Sequence, residues 1–516
     1  MRIVNIDQMK ALEEEANSKG LSYSEMMQHA GEAIANVVHT RYFMADKRNK
    51  ALGLIGSGNN GGDTLVALTS LQKRGWQTAA WLLKTREESD ELIKAYQSIG
   101  GKLILMNQDH DCAQLINLSA GSVVLDGILG TGFQLPLKPD VARILKVMGE
   151  TERHAVVAVD CPSGVDCQTG QAAMECLQAD LTVCIASVKT GLLQYPAAGL
   201  TGELISVDIG LADNLKAWSH PRDEQLDEKA VRILLPERPK DAHKGTFGTA
   251  FIVAGSMNYV GAAFLAGKSA YRVGCGLVKM AVIDSVQNSI TGHLPEAVWI
   301  RLPQQDGFIS PTAVKIIFNN FDSDNAMLVG PGLGNHKNVT NFLELLVARL
   351  LKEKITSLVL DADALRQVTC ISNWSECLPK QSILTPHPGE MAAMCGMDIN
   401  DIQTSRVEIA RIFAQKWGHV LVLKGAMTVI ASPQGEISIC PIATPALARA
   451  GTGDVLAGVI TGFLAQGLLP IHAAKIGVWL HGQAGLIAEQ EVGNQASILA
   501  GDVLAALPKA VNKLLN

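Results

Sequence analysis

Three glycines lie within or beside an apolar run in the stretch Arg449-Ala-Gly-Thr-Gly-Asp454-Val-Leu-Ala-Gly458. The apolar run extends from Val455 to Leu464 and predicts a buried helix. Glycines let the backbone approach a ligand closely, and amides at the start of a helix favour an anion, so a phosphate fits the loop 451–453. Asp454 would then face that phosphate. A general base that takes the proton of a hydroxyl while the hydroxyl attacks phosphorus needs this position. The alternative interpretation is that Asp454 is an ordinary helix N-cap.

The composition is that of a large α/β protein. The chain has 516 residues and a net charge of −6, with 47% hydrophobic, 5% aromatic and 18% charged residues. At about 100–200 residues a domain, the length predicts roughly two to four domains with sizeable cores. No basic footprint marks a nucleic-acid partner, and no stretch approaches the roughly 20 apolar residues of a membrane span.

The ten cysteines are scattered and form no C-x-x-C pair, which favours reduced thiols in a reducing compartment. The first residues show no apolar core of a signal peptide. We therefore expect a cytoplasmic protein. No His, Cys or carboxylate pair has zinc spacing, and we expect His472 and His481 to be packed or solvated rather than ligands.

The first half of the chain contains a glycine-rich loop of the dinucleotide-binding type. A strand over 50–55 precedes Gly56-Ser-Gly-Asn-Asn-Gly-Gly-Asp63, and a helical run over 64–74 follows it. The next predicted strand, 78–83, ends in Lys84 and not in an acidic residue, which weakens a plain NAD-cofactor interpretation. Amide and carboxylate oxygens in the loop, at Asn59, Asn60 and Asp63, suit a hard cation or sugar hydroxyls.

Three more strand-to-loop junctions follow in this half. Strands over 123–126, 155–159 and 181–186 lead into loops that begin near Asp126, Asp160 and Lys189. Ligands of open parallel sheets sit beyond the carboxyl ends of the strands. We therefore expect one crevice lined by a set of polar and glycine residues: Asn60, Asp63, Asp126, Gly130, Asp160, Ser163 and Lys189. The alternative is that the aspartates only cap the following helices. A first helix, starting at Asp7, is expected to turn Glu13 to Glu15 towards its outer face.

A polar, irregular stretch between about 212 and 226 marks a domain boundary. Beyond it, strands are predicted over 249–253, 277–283, 326–329, 358–360, 383–384 and 420–423. They alternate with helices over 262–273, 339–351 and 401–417. This alternation predicts a doubly wound α/β sheet.

The candidate catalytic and ligand-binding residues lie at the ends of these strands. They are the Gly330-Pro-Gly332-Leu-Gly334 loop, Asp361-Ala-Asp363, Thr385-Pro-His387-Pro-Gly-Glu390 and Lys424-Gly-Ala-Met-Thr428. Two prolines hold His387 rigidly, which favours a functional role. The Lys424 segment offers a cation and small residues that fit nucleotide phosphates and ribose.

Taken together, these motifs resemble a known family. The sequences around His387, Lys424 and Asp454 resemble the carbohydrate-kinase-like NAD(P)HX dehydratases, which implies a ribokinase-like second domain. The sequences Gly58-Asn-Asn-Gly-Gly-Asp63, Asp126-Gly-Ile-Leu-Gly-Thr-Gly132 and Asp160-Cys-Pro-Ser-Gly164 resemble the NAD(P)HX epimerases. Their order in one chain, from about residue 5 to 510, resembles the bacterial bifunctional NAD(P)H-hydrate repair enzymes.

The resemblance implies two domains with two activities. A Rossmann-like three-layer epimerase domain is expected at 1–215, and a ribokinase-like dehydratase domain at 225–510. The first would interconvert the R and S epimers of NADHX and NADPHX, the forms hydrated on the nicotinamide ring. The second would dehydrate the S epimer to NAD(P)H at the expense of ADP, giving AMP and phosphate. The expected partners are these small molecules, with ADP accompanied by Mg²⁺, and the chain is expected to be a homo-oligomer.

The resemblance also implies which residues act. Asp454 and Asp160 would be catalytic, and both would contact substrate. The nucleotide would bind to Lys424, Gly425, Ala426, Met427, Thr428 and Gly453. In the second domain the hydrate would bind to Ala262, Ala263, Gly332, Gly334 and His387. In the first domain it would bind to Asn59, Asn60, Gly61, Gly62, Asp63, Gly130, Thr131, Gly132, Phe133, Gln134, Leu135 and Pro136. A potassium ion would bind to Asn60, Asp126 and Ser163, and oxygen ligands are what such a hard cation takes. Lys189 would support Asp160.

Three alternative functions remain open from the sequence. A ribokinase-like small-molecule kinase uses the same Gly-Asp loop, but it leaves the first domain unexplained. A dinucleotide-binding regulator gains nothing from carboxylates that face phosphates, such as Asp454. A hydride-transferring dehydrogenase is disfavoured by Lys84 at the end of the second strand.

Overall fold

The computed structural model describes residues 1–45, 49–86, 90–218, 222–353 and 355–515. The chain forms two compact units, Met1–Asp223 and Glu224–Asn516. Within the described ranges, no helix combines the length and the apolar character that crossing a membrane requires.

The first unit alternates strands and helices. Its strands are β1 (Arg2–Val4), β2 (Lys50–Ile55), β3 (Gln77–Leu82), β4 (Lys102–Leu105), β5 (Val123–Gly127), β6 (Ala155–Val159), β7 (Leu181–Ile185), β8 (Val188–Lys189) and β9 (Glu203–Val207). Its helices are α1 (Ile6–Ser18), α2 (Tyr23–Tyr42), α3 (Asn59–Lys73), α4 (Glu91–Ser98), α5 (Ala113–Ser119) and α6 (Pro139–Gly149).

A seven-stranded sheet in the order β4-β3-β2-β5-β6-β7-β9 forms the centre of this unit, and all its strands are parallel. Both faces are covered: Ala51 and Ile55 of β2 pack with α1 to α3, whereas Leu52 and Leu54 pack with α5 and α6. This double burial explains why the strands are almost uninterruptedly apolar. The strand order reverses between β2 and β5, so the crevice beyond their carboxyl ends is where a ligand is expected.

The second unit has the same alternation. Its strands are β10 (Asp223–Gln225), β11 (Thr249–Val253), β12 (Leu277–Ile283), β13 (Val298–Leu302), β14 (Gln304–Gln305), β15 (Phe308–Ile309), β16 (Ala326–Val329), β17 (Leu358–Leu360), β18 (Ile383–Leu384), β19 (Val420–Leu423), β20 (Val429–Ala431) and β21 (Ile437–Ile439). Its helices are α7 (Glu228–Arg232), α8 (Val260–Arg272), α9 (Asp284–Ile290), α10 (Ala313–Asn320), α11 (Lys337–Leu350), α12 (Asp363–Val368), α13 (Trp374–Cys377), α14 (Pro388–Cys395), α15 (Ile399–Thr404), α16 (Arg406–Trp417), α17 (Thr452–Ala465), α18 (Pro470–Val492) and α19 (Ala500–Leu515).

The strands of the second unit pair in the order β13-β12-β11-β16-β17-β18-β19-β20-β21-β10. The run from β13 to β19 is parallel, while β20 pairs antiparallel with both β19 and β21. Strand order reverses between β11 and β16, which places another crevice at the carboxyl ends of the central strands. The two α/β folds and all six predicted strands of this unit are therefore confirmed.

Two predicted segments are wrong in detail. Helix α3 begins at Asn59, directly after the extended Gly58, so residues 59–63 lie in the helix and not in a loop. Only glycine fits at position 61 in this helical start, because a Cβ there would lie 2.1 Å from the carbonyl oxygen of Gly56. The single helix predicted over 401–417 is interrupted at Ser405, which separates α15 from α16.

Helix α17 is buried along nearly its whole length, as its apolar sequence predicts. It packs on α8 at very close range: a Cβ on Gly458 would lie 2.1 Å from Ser269 Oγ and 2.2 Å from the carbonyl oxygen of Ala266. The absence of a side chain at this position therefore sets the distance between the two helices. The contact fixes the start of α17 relative to the sheet.

We expect Gly458→Ala to lower the stability of the second unit by about 1–3 kcal/mol, because the added methyl group overlaps both neighbours. Thermal unfolding of the full chain measures the effect. Gly501→Ala in α19 is the matched control, since no atom lies within 4 Å of the Cβ it adds. This control should be neutral or slightly stabilising, because alanine favours the helix. Equal melting temperatures for the two variants would contradict the close packing.

Candidate functional site

Polar groups from three strand ends form one buried network in the first unit. Ser163 donates its Oγ hydrogen to Asp126 Oδ1 at 2.5 Å and its backbone N–H to Asp126 Oδ2 at 2.8 Å. The same Oγ accepts the backbone N–H of Leu129 at 2.9 Å. Asn60 Nδ2 donates to the carbonyl oxygens of Leu129 and Val159, at 3.2 and 2.6 Å. The structure thus brings together Asn60, Asp126 and Ser163, the residues for which a cation was predicted.

Asp160, the predicted catalytic residue of this unit, forms an ion pair with Lys189 directly after β6. Its backbone has a φ of +65°, a left-handed conformation that a non-glycine residue rarely adopts. One carboxylate oxygen also accepts the N–H of Ile185 at 2.8 Å. Lys189 is 1% exposed; burial lowers the pKa of its ammonium group, but the charge of Asp160 outweighs this and leaves the pKa raised. Lys189 therefore remains charged and holds Asp160 in place.

Two further carboxyl groups lie close to this ion pair. Burial raises the pKa of Asp63 well above its ordinary value, and the negative charges of Asp160 and Glu13 raise it further. Burial likewise raises the pKa of Glu13, partly offset by Lys189. Asp63, whose pKa is raised, therefore lies near a carboxylate that is already paired with a cation. Such a pair can donate one proton and accept another.

Glu13 is the residue of this site that the sequence analysis missed. It was expected on the outer face of α1, but it is half-buried. The charges of Lys189 and Asp160 act on its pKa in opposite directions. The expectation was wrong because β1 pairs with β8, with Val4 opposite Lys189, and the helix that follows β1 starts next to that pair. Glu13 stands four residues after the buried Met9, which places both on one face of the helix, and this spacing is the signal in the sequence that could have found it.

The predicted dinucleotide-binding loop 130–136 begins at this network. A Cβ on Gly130 would lie 2.5 Å from Asn60 Oδ1, so the loop can approach Asn60 only with glycine at this position. The remaining residues are half-buried or exposed: Thr131, Gly132, Phe133, Gln134, Leu135 and Pro136. Asn59 is exposed, whereas Gly61 and Gly62 are buried in the helix.

In the second unit, Lys424 lies at the centre of the crevice. Its Nζ lies 2.7 Å from Asp361 Oδ1 and 3.7 Å from Glu390 Oε2, and a Cβ on Gly453 would lie 3.4 Å from it. Asp361 also accepts the hydroxyl of Thr385 at 2.7 Å. Burial lowers the pKa of Lys424, but the two carboxylates outweigh this and raise it. A charged ammonium group therefore joins the ends of three parallel strands to the start of α17.

Asp454 lies in the first turn of α17, whose N-cap is Gly451 with a φ of +90°. The N-cap interpretation of Asp454 is therefore wrong, because the helix already begins at Thr452. Burial raises the pKa of Asp454 to about 7, and the negative charge of Asp361 contributes while Lys424 opposes it. A carboxyl group with this pKa can gain or lose a proton near neutral pH, as a general base must.

The predicted nucleotide segment 424–428 begins with Lys424 and continues as a tight turn. Gly425 has a φ of +141° and Met427 a φ of +54°. Thr428 Oγ1 donates to the carbonyl oxygen of Gly425 at 2.7 Å, which closes the turn. Ala426 is exposed at its tip. The turn leaves a short backbone surface that a nucleotide can approach.

The small residues predicted to bind the hydrate come together at the ends of β11 and β16. A Cβ on Gly332 would lie 2.8 Å from the Cβ of Ala262, and one on Gly255 would lie 3.3 Å from the Cβ of Ala263. The N–H of Gly334 donates to Asp363 at 2.8 Å. Since Asp363 also raises the pKa of Asp454, this group of residues lies on the same side of the sheet as the base.

His387 is the N-cap of α14, a structural role that its two flanking prolines did not reveal. Its Nδ1 accepts the backbone N–H groups of Gly389 and Glu390, at 3.0 and 3.3 Å. Burial lowers the pKa of its ring, and Glu390 opposes this effect. Because Nδ1 accepts these hydrogen bonds it carries no proton, and the other ring nitrogen lies 3.4 Å from Glu390 Oε1.

The carboxyl groups that set the charge of Lys424 were missing from the predicted site. Asp361 and Glu390 were placed at strand ends by the sequence, but only the structure brings both to one cation. In the described part of the chain, no group of three or more His, Cys, Asp or Glu side chains has the arrangement of a metal site. His481 is buried, and burial lowers its pKa to about 4, so its ring is packed and neutral.

Two protein families match different parts of the chain. Residues 23–191 match the family described as YjeF-related protein N-terminus, and residues 250–509 match the family described as NAD(P)H-hydrate dehydratase. The two matched segments fall in the first and the second compact unit, respectively.

Full-length relatives carry both segments. The bifunctional NAD(P)H-hydrate repair enzyme of Moorella thermoacetica is 36% identical over 522 residues, covering 100% of this chain and 97% of the relative. That of Thermofilum pendens is 32% identical over 520 residues, with 100% and 97% covered. A crystal structure of ADP/ATP-dependent NAD(P)H-hydrate dehydratase from Bacillus subtilis is 34% identical, with a TM-score of 0.47, covering 56% of this chain and 97% of that one.

We expect Asp454→Asn to stabilise the second unit in a pH-dependent way. The folded-state pKa of about 7 lies above the ordinary value of 3.8, so the folded protein keeps a proton that the unfolded chain releases. The stability contributed by the protonated carboxyl group is therefore lost as the pH rises from about 4 to about 7, and it stays lost above that range.

The difference in melting temperature between Asp454→Asn and the wild type should thus grow from about pH 5 to about pH 7 and then level off. Asp241→Asn, at an exposed position, is the control and should show no such trend. A difference that does not change with pH would contradict the raised pKa.

Proposed function

Since the chain belongs to the family of bifunctional NAD(P)H-hydrate repair enzymes, we propose that it restores hydrated nicotinamide dinucleotides to NAD(P)H. The first unit epimerises the R and S forms of NAD(P)HX. The second unit dehydrates the S form and consumes ADP, giving AMP and phosphate. The observation that carries the proposal is the position of Asp454, a base with a pKa of about 7, beside Lys424 at the start of a buried helix.

Dehydration needs a better leaving group than hydroxide. In our proposal Asp454 takes the proton of the substrate hydroxyl while that oxygen attacks the β-phosphorus of ADP. The bond from the β-phosphorus to the bridging oxygen breaks and AMP leaves. The substrate then loses phosphate and a ring proton, and the double bond of NAD(P)H forms. Backbone amides at Gly451 to Gly453 stabilise the charge that develops on the phosphoryl oxygens.

The remaining predicted residues of this unit bind the two substrates. We propose that Lys424, Gly425, Ala426, Met427, Thr428 and Gly453 hold ADP. Ala262, Ala263, Gly332 and Gly334 are small enough for the nicotinamide ring of the hydrate to lie against the backbone, and His387 lines the same crevice. Asp361 and Glu390 keep Lys424 charged and aimed at the phosphates.

ADP is proposed to enter with Mg²⁺. Magnesium commonly binds through substrate phosphates, water and only one or two carboxylates, so a complete protein cage is not required. Among the carboxyl groups around Asp454, Asp361 and Asp363 raise its pKa most. A metal bound there would neutralise part of the phosphate charge during transfer.

In the first unit we propose that Asp160 is the acid/base group for epimerisation and that Lys189 positions it. The dinucleotide binds between the start of α3, residues 59–63, and the loop 130–136. Asp63, whose pKa is raised by burial, is the proton donor in this proposal. A proton donor and a proton acceptor together suit removal and return of a hydroxyl at one carbon.

The buried network of Asn60, Asp126 and Ser163 fits a potassium ion. All three offer side-chain oxygens, and the carbonyl oxygens of Leu129 and Val159 lie in the same network. Burial raises the pKa of Asp126, because a carboxylate charge is costly to bury. A hard monovalent cation would offset that cost and hold the loop after β5 for the dinucleotide.

We expect Ser163→Ala to weaken potassium activation of epimerisation roughly tenfold, because one oxygen ligand is removed. The rate of epimer exchange is measured against K⁺ concentration at constant ionic strength, with Li⁺ as the replacement ion. Ser122→Ala is the matched control: Ser122 is also buried, but it precedes β5 at the opposite end of the strand. An epimerisation rate that is the same in K⁺ and in Li⁺ would contradict the ion site.

The central experiment mixes purified protein and mixed-epimer NADHX with ADP, with ATP or with neither, and follows the near-ultraviolet absorbance of NADH. Complete nucleotide-dependent recovery is expected, because the R epimer disappears only if epimerisation works. Asp454→Asn should slow recovery by about 10²–10⁴-fold while epimers still exchange, as chromatography would record. Asp160→Asn should do the reverse, so that recovery stalls when the S epimer is consumed.

Asp241→Asn is the control for both variants. Loss of epimerisation in Asp454→Asn would contradict two separate active sites. A wild-type protein that restores no NADH with either nucleotide would overturn the repair function and favour a small-molecule kinase.

A further inference from the structure

Arg406, the first residue of α16, is a buried cation behind the proposed nucleotide segment. Only 7% of the residue is exposed. Its Nη2 donates to the carbonyl oxygens of Leu423 and Lys424, at 2.9 and 3.2 Å. Its Nη1 donates to the side chain of Gln403 at 2.9 Å. The guanidinium group is therefore hydrogen-bonded to the backbone where β19 ends and the nucleotide segment begins.

This cation has no counter-charge in the part of the chain that the structure describes. All of its hydrogen-bond partners are neutral oxygens, and its Nε–H is buried without a partner. Burial lowers the pKa of Arg406 to about 10, and no carboxylate raises it again. The group is nevertheless protonated at neutral pH. A buried, unpaired charge is unfavourable, so its retention calls for an anion that is not part of the protein.

A single glycine lies between this cation and the proposed nucleotide site. A Cβ on Gly425 would lie 3.1 Å from both Nη atoms, so the guanidinium lies directly against the α-carbon of Gly425. Gly425 is exposed and belongs to the turn that Thr428 closes. An anion bound on the open side of this turn would be attracted by the charge of Arg406, because only the backbone of Gly425 would separate the two.

We propose that Arg406 is a positioning residue for the nucleotide: it orders the segment Lys424–Thr428 and balances the charge of a nucleoside diphosphate bound there. This inference rests on the proposed function of the second unit. Arg406 does not touch the reacting atoms; it acts through Lys424 and Gly425. Its loss should therefore affect the binding of ADP more than the chemical step.

The test is steady-state kinetics of the full chain with Arg406→Met, which removes the charge and keeps most of the side-chain volume. The KM for ADP should rise about tenfold or more, since charged buried hydrogen bonds are lost. The kcat at saturating ADP and the KM for NADHX should change by less than about threefold. Arg411→Met is the matched control, because Arg411 lies on the same helix and donates to the carbonyl oxygen of Gly435, away from the segment.

A KM for ADP that equals that of Arg411→Met would overturn the inference. So would a uniform loss, in which kcat and both KM values change together with a lowered melting temperature. A wild-type protein that restores NADH without any nucleotide would instead refute the proposed function. The two negative results can therefore be told apart.

Arg406→Lys decides the matter if Arg406→Met does not fold. Lysine keeps the charge but cannot hold two carbonyl oxygens and Gln403 at once, so the KM for ADP should still rise about threefold or more. An unchanged KM for ADP in Arg406→Lys would also overturn the inference.

Discussion

The ion pair between Lys424 and Asp361 is the interaction on which the second unit's site depends. Lys424 directly follows β19, Asp361 follows β17 and Glu390 lies in α14 after β18, so one ammonium group connects three adjacent strand ends. Without it, several carboxyl groups would face one another in a buried crevice, which is strongly unfavourable. With it, the charge of Asp361 is balanced, and Asp454 is left with a pKa of about 7.

The first unit solves the same electrostatic problem in the same way. A buried lysine, Lys189, pairs with one aspartate, Asp160, while a neighbouring carboxyl group, Asp63, is held with a raised pKa. In both units burial is the largest cause of the raised pKa, and a paired carboxylate nearby adds to it. Each unit therefore holds a charged and a titratable carboxyl group close together, an arrangement suited to moving protons.

Close backbone packing makes these sites possible. Gly458 lets α17 approach α8, and Gly61 lets α3 begin against Gly56. Both glycines lie inside helices, where glycine normally lowers stability by about 1 kcal/mol. Their presence there is explained by the close approach, since any side chain would displace the helix whose first turn carries Asp454 or Asn60. Fold and site are thus coupled through positions that have no side chain.

The sequence alone determined the α/β class, the strands and the strand ends that carry chemistry, because apolar runs and glycine-rich loops are local patterns with a known period. It also identified the family, because its motifs keep their order along the chain. Only the tertiary structure decided which of those residues meet. Glu13 joined the first site through the pairing of β1 with β8, and Glu390 and Asp361 met at Lys424 through the order of strands in the sheet. The N-cap roles of Gly451 and His387 were likewise settled by backbone geometry. Charge balance between residues far apart in sequence depends on distances in space, and no local pattern specifies those distances.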